Sequence, residues 1–300
     1  MVSNDAGQIV EPKKYWDLKE TVAEGTKTNF IGSEEDAVNT LDCLLSNSIR
    51  ERMLSDVPLG AFLSGGIDST TVVAMMQEQS GTPIKTFTIG SSEHGYNEAP
   101  FASDIATHLG TDHTELIVEP EQAQDVIPLL PQMYDEPFAD SSQIPTYLVS
   151  KLARSDVTVA LSGDGGDELF GGYNRHFWAP KLWNRMKYVP APIRAGLSRV
   201  GLQISPSGWD KLIACAGPLC PHELKTGLGG ERVHKFLTHL GSTSPKHFYQ
   251  RLVSVQNDPS PYLLAPNGTG LENITRFDTS DFSFQTAMMY LDMATYLPND

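Results

Sequence analysis

Apolar and polar residues follow different rhythms along this chain, and the changes between them divide it. Residues 1–33 are polar, rich in Lys, Glu, Thr and Gly, and hold no sustained period. Only Tyr15 and Trp16 offer surface for docking there, so the segment reads as a linker left from a preceding domain. A helical rhythm begins at Ser33, which is placed to cap. Asp36 follows three residues later, and Ala37, Leu41, Leu44, Leu45 and Ile49 recur at helical spacing. Residues 59–63 then predict a short buried strand, ended by Ser64-Gly-Gly-Ile-Asp-Ser69 and followed by a helix over 70–79. The unit repeats as a strand at 84–89, a helix at 98–109, a strand at 113–118 and a helix at 121–133. A helix over 144–153 then leads into a strand at 157–161 and a second glycine-rich turn. Strands alternating with helices of this length predict an α/β fold on a doubly wound, open parallel sheet, because parallel neighbours need long crossovers. After about Trp178 the chain is punctuated by Pro and Gly at helical spacing. This predicts a mostly helical region over 179–300, broken into short helices by the prolines between Pro180 and Pro266.

Three hundred residues, 40% hydrophobic and 20% charged, suffice for a large core in an ordinary soluble globular protein. With 37 acidic against 22 basic side chains the net charge is -15, which repels a polyphosphate backbone and argues against a nucleic-acid partner. The cysteines Cys43, Cys215 and Cys220 lack CxxC spacing and are odd in number. They suit a reducing, cytoplasmic compartment and read as buried small hydrophobes. No apolar run approaches the roughly 18 residues of a membrane helix, so no membrane partner is expected. The N-terminus opens no signal peptide, and the Asn-x-Thr sequons at Asn267 and Asn273 are therefore read as chance.

In an open α/β sheet, ligands bind beyond the carboxyl ends of the strands, where a turn opens into a helix with unpaired amides. Ser64-Gly-Gly-Ile-Asp-Ser69 occupies such a place. Gly65 and Gly66 let backbone N–H groups approach an anion, and the hydroxyls of Ser64, Ser69 and Thr70 add donors. A GxxxxGK[ST] loop is excluded because no lysine lies between Leu59 and Gln79, and GxGxxG is absent too. Asp68 in an anion site is repulsive unless a divalent cation bridges it to phosphate, which points to Mg2+. The second turn, Leu161-Ser-Gly-Asp-Gly-Gly-Asp-Glu-Leu-Phe-Gly-Gly-Tyr173, places Asp164, Asp167 and Glu168 at the same sheet edge. Asp167 can share the metal with Asp68, Asp164 can orient an amine or accept a proton, and Arg175 can pair with a phosphate. Plainer readings stand beside these: a capped tight turn for the first, a solvated acidic loop for the second.

The first turn resembles the pyrophosphate loop of the PP-loop ATP pyrophosphatases, whose fold is adenine nucleotide alpha hydrolase-like. Together with Ser162-Gly-Asp-Gly-Gly-Asp-Glu-Leu-Phe-Gly-Gly-Tyr173 it resembles the synthetase domain of the glutamine-hydrolysing asparagine synthetases. Val57-Pro-Leu-Gly-Ala-Phe-Leu63, Phe87-Thr-Ile-Gly90, Tyr96-Asn-Glu, His108-Leu-Gly-Thr111, Asp135-Glu-Pro-Phe-Ala-Asp-Ser-Ser142 and Asp292-Met-Ala-Thr-Tyr-Leu-Pro298 support the likeness. The resemblance implies a PP-loop ATP-binding synthetase core over 34–178 and a truncated helical part over 179–300. It implies an AMP-forming carbon–nitrogen ligase: Mg-ATP and aspartate give β-aspartyl-AMP and pyrophosphate, and ammonia from glutamine then gives asparagine and AMP. By similarity Ser64, Gly65, Gly66, Asp68 and Ser69 hold pyrophosphate, Asp68 and Asp167 hold magnesium, and Phe62, Ile89, Ser162 and Gly163 line the AMP pocket. Asp164 takes the reactive carboxylate position, where many members carry Glu. Asp140, Ser141 and Ser142 either recognise the acceptor acid or form a loop and helix cap.

The family's glutaminase domain, normally in the same chain, opens with a nucleophilic cysteine. Here the first cysteine is Cys43, inside a predicted helix, and Tyr296-Leu-Pro-Asn-Asp300 matches only the start of the family's last region. The expectation is a piece of a longer enzyme that binds nucleotide without turning over by itself. Competing readings are a related amidotransferase acting on a sugar acid, a peptide or a β-lactam precursor, and a non-catalytic nucleotide-binding subunit. A tRNA-modifying PP-loop enzyme would show basic arms or paired cysteines, and neither is present. The apolar C-terminal region is compatible with a homodimer.

Overall fold

The computed structural model describes residues 2–3, 9–10, 14–92, 97–134, 140–216, 229–254, 274 and 277–299. Tyr96, residues 135–139, Cys220 and both sequons lie outside them. The chain divides into two compact units, one of residues 28–167 and one of residues 1–27 with 168–299. No helix among the described residues is long and apolar enough to cross a membrane.

The chain opens with a two-residue antiparallel pairing of β1 (Val2–Ser3) with β2 (Ile9–Val10), followed by helix α1 (Leu18–Lys27). The segment read as a linker without a sustained period thus contains a helix. Asp17 starts α1 by accepting from the amides of Lys19 and Glu20 at 2.9 and 3.2 Å, and Leu18 and Val22 pack against the core of the second unit. Two apolar residues four apart are too few to register as a period. Helix α2 (Glu34–Arg52) begins at Ser33 as expected, with a reciprocal capping box between Ser33 and Asp36. Its apolar spacing does not describe a buried face, since Ile49 is its one buried residue while Val38, Leu41 and Leu44 are exposed. Cys43 is exposed on this helix and Cys215 is exposed near the end of a later one, which corrects their reading as buried hydrophobes.

Residues 28–167 form the sheet unit. Strand β3 (Leu59–Phe62) leads to α3 (Ile67–Gln79), β4 (Lys85–Ser91), α4 (Ala99–Leu109) and β5 (Asp112–Val118). The helix expected over 121–133 is in fact α5 (Pro120–Val126), a 3-10 turn (Ile127–Leu129) and the short α6 (Leu130–Met133). Pro128 and Pro131 lack the amides that a continuous helix needs. Then α7 (Gln143–Ala153) returns the chain to β6 (Val159–Leu161). All four of these strands are parallel, in the order β5-β4-β3-β6. Alternation along β3 assigns its two faces. Ala61 joins Leu63, Val73, Met76, Ala102 and Ala106 in one core, whereas Phe62 packs with Phe87, Ala153 and Val157 in another. Helices on both faces of a parallel sheet make the fold doubly wound, as the sequence predicts.

The second unit is helical. Helix α8 (Gly166–Phe170) carries the chain into it and is followed by α9 (Asn174–Met186), α10 (Ala191–Gly201), α11 (Pro206–Ala216), α12 (Gly229–Leu240), α13 (Pro245–Val253) and α14 (Phe284–Leu291). Pro180, expected to break the chain, lies inside α9, where one intrahelical hydrogen bond is forgone. Phe248, Tyr249, Met288 and Leu291 form the core. Helix α10 is amphipathic with its faces reversed: Arg194 and Ser198 are buried on backbone carbonyls, while Ile193, Leu197 and Val200 are exposed.

His239 is buried against Phe248, with no hydrogen-bond partner at either ring nitrogen among the described residues. Burial, reinforced by Lys235 and Arg251, brings its pKa from the ordinary 6.5 down to about 4. The unfolded chain therefore takes up this proton first on acidification. The neutral imidazole contributes stability above pH 6.5 that is lost as the pH falls towards 4. His239→Leu should remove a pH-dependent loss on the order of 3 kcal/mol across that window. Urea denaturation of both proteins at a series of pH values measures it, and parallel profiles would refute the assignment.

Candidate functional site

Parallel sheets that wind both ways bind ligands where the strand order reverses. From β3 the chain builds outward through β4 and β5, then crosses back to add β6 on the other side, so the switch point lies between β3 and β6. The register pairs Ala61 with Leu161, so the two strands end level and release both glycine turns at one edge.

The first turn is held by its own hydroxyls. Ser69 Oγ accepts from the Ser64 amide at 3.2 Å and lies 3.0 Å from Ser64 Oγ, which in turn accepts from the Gly66 amide at 3.3 Å. Gly65 has φ +84°, and a Cβ there would stand 3.0 Å from that of Phe101. Gly66 is the N-cap of α3 and no side chain caps the helix, so this end offers amides and a positive dipole to an anion. The second turn presses onto the first. A Cβ on Gly163 would lie 2.6 Å from the Ser69 nitrogen, and one on Gly166 would lie 2.5 Å from Cγ of Asp68. The expected convergence of the two turns is therefore present within the sheet unit. Asp164 is exposed and accepts from Ser162 Oγ at 2.7 Å, leaving its carboxylate at the surface of the turn.

A cavity of about 590 Å³ opens beside the first of these turns, a size suited to a nucleoside. Ser64 belongs both to its wall and to the first turn, and Phe62, Phe87, Ile89, Ile144 and Val149 supply apolar lining. Of the residues expected to line an AMP pocket, Phe62 and Ile89 line this cavity, whereas Ser162 and Gly163 are not among its lining residues. Ile144 and Val149 on α7 complete the wall and were not singled out by sequence. Their helix was legible, but nothing local tells which sheet face a crossover helix covers.

A family model described as asparagine synthase matches residues 40–300. The chain belongs to the asparagine synthase family. It is 41% identical over 170 residues to a protein of Methanocaldococcus jannaschii named putative asparagine synthetase (glutamine-hydrolyzing) 2, covering 56% of this chain and 30% of that protein. It is 42% identical over 151 residues to asparagine synthetase (glutamine-hydrolyzing) 1 of Bacillus subtilis, covering 49% of this chain and 24% of that one. The human asparagine synthetase (glutamine-hydrolyzing) is 34% identical over 162 residues, covering 50% and 28% respectively. The chain thus spans less than a third of the length of these curated relatives.

The other residues that asparagine synthase motifs mark out are placed as follows. Asp140 accepts from the Ser142 amide at 2.8 Å, an Asx turn leading into α7, and Ser141 lies inside that turn. Asp167 follows Gly166 in α8. Among the described residues no group of three or more His, Cys, Asp or Glu gathers as metal ligands. Arg175 lies in the helical unit, where its Nη2 is 3.0 Å from Asp292. Sequence reading quoted Asp292 only as the start of a family-like segment without a role, and left its partner His176 unmarked.

The turn-on-turn contact is testable against a glycine with free space around it. Gly163→Ala and Gly166→Ala should each destabilise the protein by about 1–3 kcal/mol, because a methyl group must displace backbone or a carboxylate. Gly196→Ala, in α10 with nothing within 4 Å of the added Cβ, should instead stabilise by about 0.5–1 kcal/mol. Urea midpoints for the three variants give the comparison, and equal effects would remove the packing argument.

Proposed function

We propose that this chain is the ATP-binding synthetase portion of a glutamine-hydrolysing asparagine synthetase, a carbon–nitrogen ligase that forms AMP. The observation that carries the reading is the meeting of two glycine turns without room for a Cβ at the switch point, with a nucleoside-sized cavity at the carboxyl ends of β3, β4 and β5 that Ser64 of the first turn also lines. The names of the relatives supply the product, asparagine, and the hydrolysis of glutamine, and we take aspartate as the acceptor. In domain terms we read residues 34–178 as the PP-loop core and 179–300 as the helical remainder of the synthetase, with residues 1–33 linking to a glutaminase domain.

In this reading the adenosine moiety enters the cavity that Phe62 and Ile89 line, and Ser162 and Gly163, outside the cavity wall, are assigned to the same nucleotide from the second turn. The polyphosphate lies over the first turn, where the amides after Gly65 and Gly66 and the hydroxyls of Ser64 and Ser69 donate to it. Asp68 and Asp167 would hold magnesium, which would supply charge neutralisation of the phosphates. Paired carboxylates suit this ion, which rarely takes an all-protein cage. The cradle fits: the backbone at Gly166 lies against the Asp68 carboxylate and keeps it at the turn.

The aspartate side-chain carboxylate attacks the α-phosphorus and pyrophosphate leaves. Ammonia then attacks the activated carbonyl and AMP leaves, with a proton lost from nitrogen. Asp164, exposed in the second turn, is assigned to orient the amine and accept that proton. Asp140, Ser141 and Ser142 are assigned to the acceptor acid, the Asx turn fixing their backbone.

ATP–pyrophosphate exchange by the longer enzyme that contains this chain, with magnesium and without ammonia, tests the reading across a panel of acids headed by aspartate. Exchange dependent on aspartate is expected. Exchange with another acid would reassign the acceptor to a sister amidotransferase, and silence across the panel would overturn the ligase. Calorimetry adds a second expectation. Asp68→Ala and Asp167→Ala should weaken Mg-ATP binding about tenfold or more, whereas Asp164→Ala should change it less than about twofold while lowering amide formation. Equal nucleotide affinity in all three variants would contradict the metal assignment.

A further inference from the structure

The cavity of the sheet unit has an electrostatic sign. Two carboxylates, Glu98 and Glu119, stand among its lining residues, and among the described residues no Lys, Arg or His joins them. Such a wall repels phosphate and favours hydroxyl or amine donors. The anion site lies outside it, at the first turn, where the uncapped start of α3 and the hydroxyls of Ser64 and Ser69 take the charged end of a ligand. A nucleotide is therefore admitted one way round, base and sugar inward and phosphates over the turn, with Ser64 common to both places.

The two carboxylates are not equivalent. Glu119 follows β5 and already accepts from Ser92 Oγ at 2.7 Å. Its strand is two places from β3 in the sheet, roughly 10 Å away at the usual strand spacing. Glu98 is the residue from which α4 starts. It makes no capping hydrogen bond, and among the described residues no side chain donates to it. Helix α4 also carries the contact with the first turn, since a Cβ on Gly65 would stand 3.0 Å from that of Phe101 and 3.1 Å from the Ala102 nitrogen. Phe101 comes three residues after Glu98, about 4.5 Å along the helix axis. The start of α4 is itself fixed: Asn97 Oδ1 accepts from the Ala99 amide at 3.2 Å, and a Cβ on Gly90 would lie 2.5 Å from that oxygen. Glu98 thus stands on the cavity wall within one helical turn of the residues that touch the anion loop. In a nucleotide, the group one step from the phosphates is the ribose.

We propose that Glu98 selects ribonucleotides at this site, its carboxylate accepting from the ribose 2′-hydroxyl. The inference rests on the ATP-binding reading above. A carboxylate without a donor of its own accepts a hydroxyl proton readily, the chemistry by which an acidic residue reads the ribose in dinucleotide-binding sheets. Hydrogen bonds to an ionised acceptor are the stronger kind. The apolar lining of Phe62, Phe87, Ile89, Ile144 and Val149 holds a base by area and discriminates little between sugars that differ by one oxygen.

Calorimetry on the longer enzyme that contains this chain compares Mg-ATP with Mg-2′-deoxy-ATP for wild type, Glu98→Ala and Glu98→Gln. Thermal denaturation alongside confirms that each protein is folded. Wild type should bind ATP roughly tenfold more tightly than 2′-deoxy-ATP (about 1.4 kcal/mol). Glu98→Ala should bring that ratio below about twofold by weakening ATP. Glu98→Gln keeps an accepting oxygen without the charge and should hold the ratio at roughly threefold. A merely structural role would weaken both nucleotides alike and leave the ratio at its wild-type value. Equal affinities in wild type, or an unchanged ratio in folded Glu98→Ala, overturns the inference and leaves the ATP-binding reading standing. Wild-type enzyme that binds neither nucleotide overturns both.

Discussion

Everything at the candidate site depends on two stretches of backbone touching where no side chain fits. Gly163 lies against the Ser69 nitrogen and Gly166 against the Asp68 carboxylate. Hydrogen atoms in place of methyl groups let the second turn close over the start of α3. The sheet makes this approach possible, because β3 and β6 are neighbours and end level. The hydroxyl contacts of Ser64 and Ser69 then set the finer shape of the first turn. A parallel sheet that wound in one direction only would lead the two turns away from each other.

Much of this was legible in the sequence for a physical reason. Buried parallel strands are short apolar runs, and the paired glycines with flanking acids mark turns that capping alone does not explain. The strands at 59–63, 84–89 and 113–118 lie within a residue or two of the observed ones. Illegible features were those decided by tertiary contact. Helix α1 rests on two apolar residues and an Asp17 cap, and α2 has helical spacing but buries little of it. The helix over 121–133 failed at its prolines, whose effect is local and could have been weighed. The cavity wall on α7 follows from the handedness of a crossover, which no window of residues encodes.

The two units solve the problem of buried polarity differently. In the sheet unit polar groups gather at a strand edge, where backbone amides are already unpaired. In the helical unit they enter the interior. Arg194 is satisfied by the carbonyls of Val189, Leu240 and Ser242, and Asp292 by three donors, whereas His239 stays neutral without a partner among the described residues. Interiors arranged by directional bonds hold fewer alternative packings than apolar ones, at some expense in stability.

The absence of side chains at the turn-on-turn contact has a consequence for how such a protein can be recombined. Loops that meet through side chains can be exchanged one at a time, because a neighbouring rotamer absorbs the mismatch. Loops that meet through bare backbone have no such slack. A chimera taking its first turn from one relative and its second from another would inherit whatever difference in strand length or twist separates the parents, with nothing at the seam to take it up. The portable module is the pair of turns with β3 and β6 attached, although a large part of the sheet unit lies between them in sequence.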